Sequence, residues 1–201
     1  MIDNIQIVLF FDKFTSYNPT QIAAGINKLA PFIGNAIILP VNPEEPDAPI
    51  IIFNESKDIN LTVTRISTAI IFKENDLKKY KETVIDIVNF YDSEGISFKR
   101  IGIVITRILP KTAIKKLKKA IFKDEEIIES TDFAVAWHNI ISLDSTKFNC
   151  WERYFMEAGT EHLVGVFDIN TPHDEKYNIK DDFVDKCIAK SIKYVDEKIK
   201  K

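Results

Sequence analysis

The sequence predicts an α+β fold: one long, curved, mainly antiparallel sheet with two long helices packed on one face. Two observations carry this expectation. Apolar residues switch repeatedly between the period of two that strands require and the 3.6 of helices. The resulting order in residues 1–95, a strand, a helix, three strands and a long helix, then recurs in residues 96–201. Such an order describes an internally duplicated βαβββα unit. No Gly/Ser-rich linker separates the halves, so both are expected to share one sheet and form one continuous domain.

Ile5 to Phe11 is a near-continuous apolar run, as a central strand requires. Asn18 and Pro19 then open a helix, Asn18 as the cap and Pro19 at the first position. Its buried stripe is expected to be Ile22, Ile26, Leu29 and Ile33, and Gly34-Asn35 its end. Ala36 to Leu39 reads as a short strand. Residues 40–49 hold four prolines and three acids and read as a loop. Ile50 to Phe53 and Ile59 to Phe72 supply further strands. Within the latter, Ile59, Leu61 and Val63 are odd-numbered while Ile66, Ile70 and Phe72 are even, so a bulge or strand break is expected at Thr64-Arg65. Asp76 to Glu94 keeps helical spacing through Leu77, Tyr80, Val84, Ile87, Val88 and Tyr91.

The second half repeats the order. Ile96 to Leu109 is a strand, Pro110 to Lys123 a helix, and Phe133 to Leu143, Phe148 to Met156 and His162 to Ile169 are strands. Asp181 to Lys200 closes the chain as a helix with Phe183, Cys187, Ile188, Ser191, Ile192, Val195 and Ile199 on one stripe. In arrangement this is similar to the saddle of TATA-binding proteins or to duplicated ferredoxin-like folds, a likeness of architecture and not of function.

Composition narrows the function classes. The 201 residues are 45% hydrophobic and 28% charged, with both signs interspersed, which fits a packed core and argues against disorder. A net charge of −3 gives no overall field favouring nucleic acid or anionic membrane. The charge is uneven: residues 1–95 carry 8 basic against 13 acidic residues, residues 96–201 carry 19 against 17. Cys150 and Cys187 lack the spacing of a zinc site or a disulfide framework, so a reduced, cytoplasmic setting is expected. The opening run reads as a strand and not a signal peptide, and no apolar stretch nears the ~20 residues that span a bilayer. No P-loop, G-x-G-x-x-G or H-E-x-x-H occurs, and six glycines leave little for phosphate-cradling loops. No cofactor and no metal site is expected.

Four constellations are candidates for chemistry. Thr-Arg-Ile occurs at residues 64–66 and 106–108, and Arg65, Arg100 and Arg107 could line an anion site; the alternative is salt bridges within the fold, to Asp168 or Asp144. His138, beside Trp137 in a strand, could act as a general base with Asp168, or could be a satisfied structural residue. The segment Phe167-Asp168-Ile169-Asn170-Thr171-Pro172-His173-Asp174 places acids, Asn170, Thr171 and a histidine at a strand end, where sites are often built, although Asn-Thr-Pro is also turn chemistry. Residues 111–123 carry six lysines and no acid, so Lys115, Lys116 and Lys119 could meet phosphates or an acidic protein. That helix is equally read as a solvated face, and Phe122 is the single aromatic residue among its lysines.

The order Thr64-Arg65-Ile66-Ser67, a long helix, then Lys99-Arg100-Ile101-Gly102-Ile103, with Gly165-Val166-Phe167-Asp168-Ile169-Asn170-Thr171 before a closing helix, resembles a family of uncharacterised bacterial proteins encoded in mobile or defence-rich regions. The resemblance implies a setting, bacteria and phage in conflict, and no activity. The expectation is therefore a non-enzymatic cytoplasmic binding protein that holds a protein partner or a small anionic ligand on its open sheet face or rim, as an inhibitor or defence component. Self-association is compatible with this reading. The alternatives are an enzyme acting on nucleotides or nucleic acid, in which Arg65, Arg100, Arg107, His138 and Asp168 converge, and nucleic-acid binding through the lysine helix, which is allowed but not favoured.

Overall fold

Burial along the first strand alternates without exception: Ile5, Ile7, Leu9 and Phe11 are buried, and the residues between them are not. A strand with two such unlike faces needs a partner layer on one side only. In a computed structural model, which describes residues 4–12, 17–54, 58–72, 77–121, 134–143, 146–156, 162–175 and 177–200, the helices supply that layer. The elements are β1 (Asn4–Phe11), α1 (Pro19–Leu29), β2 (Ile37–Ile38), β3 (Ile51–Phe53), β4 (Ile59–Val63), β5 (Ser67–Phe72), α2 (Leu77–Ser93), β6 (Phe98–Leu109), α3 (Lys111–Ile121), β7 (Ala134–Leu143), β8 (Thr146–Met156), β9 (Leu163–Asn170) and α4 (Asp181–Lys200).

The α+β class and the large antiparallel sheet are as expected. The nine strands run in the order β2-β3-β4-β5-β1-β6-β9-β8-β7, and every neighbouring pair is antiparallel. β1 and β6 meet at the centre with Ile7 opposite Ile103. One core cluster joins the inward side chains of β1 and β3 to β9 with Ile22 and Ile26 of α1, Val84 and Ile87 of α2, and Val184 and Ile188 of α4. Ile114 and Leu117 of α3 pack against the same cluster. All four described helices therefore cover one face. Tyr91 of α2 is fully buried, its ring against Phe11 and Phe98 (centroids 5.5 and 5.3 Å), and its hydroxyl lies 2.8 Å from that of Thr68.

Three local features have physical causes. α1 ends at Leu29 and not at Gly34, because Pro31 has no N–H to continue the ladder. The chain tightens into a 3-10 turn at Pro31–Ile33, which still buries Ile33 but leaves Leu29 39% exposed. The phase change at Thr64-Arg65 is a strand break. The Thr64 hydroxyl accepts from the N–H groups of Ile66 (3.1 Å) and Ser67 (3.0 Å), closing a tight hairpin turn between β4 and β5. Four strands, not three, follow α1, because that break divides the run from Ile59 to Phe72 into β4 and β5, while the expected short strand forms as β2 at the sheet's edge.

Among the described residues no helix is long and apolar enough to cross a membrane. Asp76, Lys123, Phe133 and Asp144, assigned roles in the sequence reading, lie outside the described residues.

Candidate functional site

The sheet face opposite the helices is built by simple alternation. On β8, Phe148, Cys150, Glu152 and Tyr154 point to the helix side and are buried. Lys147, Asn149, Trp151, Arg153 and Phe155 therefore point the other way. Across the strands, Trp151 sits between His138 on β7 and Asp168 on β9, and Asp168 lies opposite Val104 on β6. The neighbouring row runs Ile140, Asn149, Asn170, Gly102 and Val8. Trp151 is 44% and Ile140 68% exposed, large apolar surfaces for a sheet face that no described helix covers.

Polar groups on this face are organised around the aromatics. The His138 and Trp151 rings stand 4.9 Å apart at 33°. The Arg153 guanidinium donates to Asp168 at 3.4 Å, and the Asn170 amide donates to the same carboxylate. Gly102 makes this possible, because a side chain there would collide with the Asn170 amide oxygen. Arg100 lies 4.8 Å over the Phe10 ring and donates to the Thr171 carbonyl at 3.3 Å. Burial lowers the Arg100 pKa and the Asp168 charge opposes that shift, so the guanidinium remains a cation. The regular strand positions on this face carry three cations, Arg100, Lys147 and Arg153, against one acid, Asp168, in a chain whose net charge is −3.

The candidates from the sequence fall in separate places. His138 and Asp168 share the open face but stand two strands apart, about 10 Å, with Trp151 between them. They do not form a proton-transfer pair at that separation. The three arginines do not converge. Arg65 sits at the β4–β5 turn and donates to the Pro43 carbonyl at 3.1 Å. Arg107 is seven residues from Arg100 on β6, so it points to the opposite face, where it is buried and pairs with Asp196 of α4 at 2.6 Å. Asn170 joins the open face. Thr171 is fully buried, and its hydroxyl accepts from the Ile101 N–H at 3.1 Å, extending the β6–β9 pairing. Lys115, Lys116 and Lys119 are exposed on α3, whereas Lys118 is buried. His173 and Asp174 are exposed, and among the described residues no three His, Cys, Asp or Glu side chains are grouped to hold a metal ion.

The sequence reading missed Glu152. Its carboxylate is fully buried on the helix side of β8, yet accepts from the Tyr194 hydroxyl (2.7 Å), the Asn139 amide (3.3 Å) and the Tyr154 hydroxyl (3.4 Å) and pairs with Lys198 (3.0 Å). Burial and the adjacent carboxylate raise the pKa of both tyrosines, which keeps their hydroxyls protonated as donors. The same surroundings push the Cys150 thiol up to about 12. The signal was present in the sequence: Glu152 shares the parity of Phe148, Cys150 and Tyr154, all inward positions. This cluster is satisfied and closed by α4, so it holds the fold.

Comparison with protein-family models and with curated proteins finds no match to this chain.

Proposed function

We propose that this chain is a non-enzymatic binding protein whose ligand-bearing surface is the open face of its sheet. The observation that carries the reading is the pairing of exposed Trp151 and Ile140 with Arg153, Asn149 and Asn170 on a face that no described helix covers. An apolar centre ringed by polar groups is the composition of a recognition surface. Trp and Arg are the residue types that most often dominate binding energy.

The strand order supports reading the chain as two βαβββα units. β5, β4 and β3 lie outward from β1 as β9, β8 and β7 lie outward from β6, with β2 an addition to the first unit. In that reading the second unit supplies the site and the first completes the sheet. The resemblance noted in the sequence supports placing the activity in the bacterial cytoplasm, in conflict between phage and host.

Affinity capture from the native host, with the wild-type chain and the Ile140→Asp/Trp151→Asp variant in parallel, tests the reading. A stoichiometric ligand recovered by the wild type and lost by the variant is expected. A ligand retained equally by both would place binding elsewhere.

A further inference from the structure

We propose that the ligand of the open face is single-stranded nucleic acid, its bases stacking on Trp151 and His138 and its phosphates meeting Arg153, Lys147 and Arg100. The inference rests on the open face being the binding surface and names what that surface takes. Sequence-tolerant single-strand binding requires cations that track a backbone and aromatic faces on which bases stack. The outward positions of β8 alternate in that manner: Lys147, Asn149, Trp151, Arg153, Phe155. They repeat about every 6.8 Å along an antiparallel strand. The His138 ring packs beside Trp151 from β7, and Arg100 with Phe10 provides a second cation–aromatic pair on the centre of the sheet.

Charge favours this occupant over an acidic face of a protein. The three cations are spread over β6 and β8 and are not gathered into one pocket, which suits a chain of phosphates. The one acid, Asp168, sits beside Trp151 with its oxygens toward Arg153 and Asn170. There it offers an acceptor for the amino or imino groups on a stacked base's edge. Asn149 and Asn170 add amides that can donate and accept. The lysine-bearing helix α3 has charge but no aromatic residue, so it has only half of the required chemistry.

The test is fluorescence anisotropy with fluorescein-labelled single strands of mixed sequence, DNA and RNA, of about 12 nucleotides, within the range such platforms cover. An acidic peptide of alternating Glu and Tyr is titrated in parallel. Binding of a labelled strand is expected, with log K falling against log salt at a slope of about −2 for three phosphate contacts. Trp151→Ala is expected to weaken binding about ten-fold or more, and Arg153→Glu to weaken it and flatten the salt slope. The triple variant Lys115→Glu/Lys116→Glu/Lys119→Glu is expected to bind as the wild type does. All three variants change exposed side chains, and unchanged circular dichroism melts would show that they fold. Absence of binding to either strand at about 50 mM salt, binding that survives both face variants, or binding lost in the triple variant would each overturn the assignment. Peptide binding that is lost in Trp151→Ala, without strand binding, would overturn the nucleic-acid assignment and leave the face standing as a binding surface. Failure of both probes, together with host capture insensitive to Ile140 and Trp151, would remove that broader reading too.

Discussion

Tyr194 of α4 donates its hydroxyl to the fully buried carboxylate of Glu152 on β8 at 2.7 Å. Two residues further along α4, Asp196 accepts from Arg107 on β6 at 2.6 Å, and two beyond that Lys198 pairs with Glu152 at 3.0 Å. The sheet thus offers one buried cation and one buried anion, and the last turns of α4 answer with one acid and one base. This reciprocal clasp fixes the closing helix over β6, β9 and β8, directly behind the strands that carry Trp151, Asp168 and Arg100. A buried charge is tolerated only where it is paired and hydrogen-bonded, and Glu152 meets both conditions.

Glu152→Ala leaves the Tyr154 and Tyr194 hydroxyls without their acceptor beneath the helix. The expected loss is about 2–3 kcal/mol. That lowers the melting temperature by roughly 5–10 °C in a chain of this size, measured by differential scanning calorimetry. Glu152→Gln, which keeps an acceptor oxygen, is expected to lose clearly less.

Asp196→Ala removes the carboxylate facing Arg107. Because the Asp196 side chain is 46% exposed, solvent screens the pair and the expected cost is smaller, about 1–2 kcal/mol. A double-mutant cycle with Arg107→Met in urea melts should return a coupling of that sign. Purely additive losses would show that the pair contributes nothing.

Alkaline pH should weaken the fold below the range where backbone chemistry intervenes. Burial holds the Cys150 and Cys187 thiols at about 12, against 9.0 for a free thiol, and lifts Tyr17 from 10.0 to about 12. The unfolded chain therefore loses these protons first. Stability from these groups is complete below about pH 9 and falls as the pH climbs toward 12. Urea midpoints at pH 8 and pH 10.5 should differ in that direction. Being buried as well, the thiols should react with a disulfide reagent at pH 8 far more slowly than a free thiol.

Gly25 of α1 has no room for a side chain, since a Cβ would enter the Phe90 ring of α2. Gly25→Ala should therefore destabilise by about 1–3 kcal/mol, although alanine is the better helix former. Adding Phe90→Leu should recover part of the loss in thermal melts.

Much of the fold could be read from the chain because its signals are local. Asn18 caps α1 through the Thr20 N–H at 3.0 Å, as Asn-Pro at a helix start requires. The closing helix spans Asp181 to Lys200 as its stripe indicated. The parity change at Thr64-Arg65 marked a real break, although periodicity alone could not distinguish a bulge from a hairpin. The candidate site was legible only in part, because it depends on which strands become neighbours. Alternation placed Trp137 and His138 on opposite faces, and Trp137 does stack on Tyr154 at 5.2 Å while His138 meets Trp151. Nothing local showed that Trp151 would separate His138 from Asp168, or that Arg107 would find Asp196 eighty-nine residues away. Glu152 was hidden for the same reason, since its helix partner Tyr194 lies 42 residues away in the chain.

The central claim, that the open face is where this protein binds, is tested most directly by site-specific photo-crosslinking in the native host. A benzophenone amino acid replaces Ile140 on the open face in one strain and exposed Lys186 on α4 in another. The account predicts a discrete covalent adduct from position 140 and none from position 186. An adduct from position 186 with none from position 140 would contradict it.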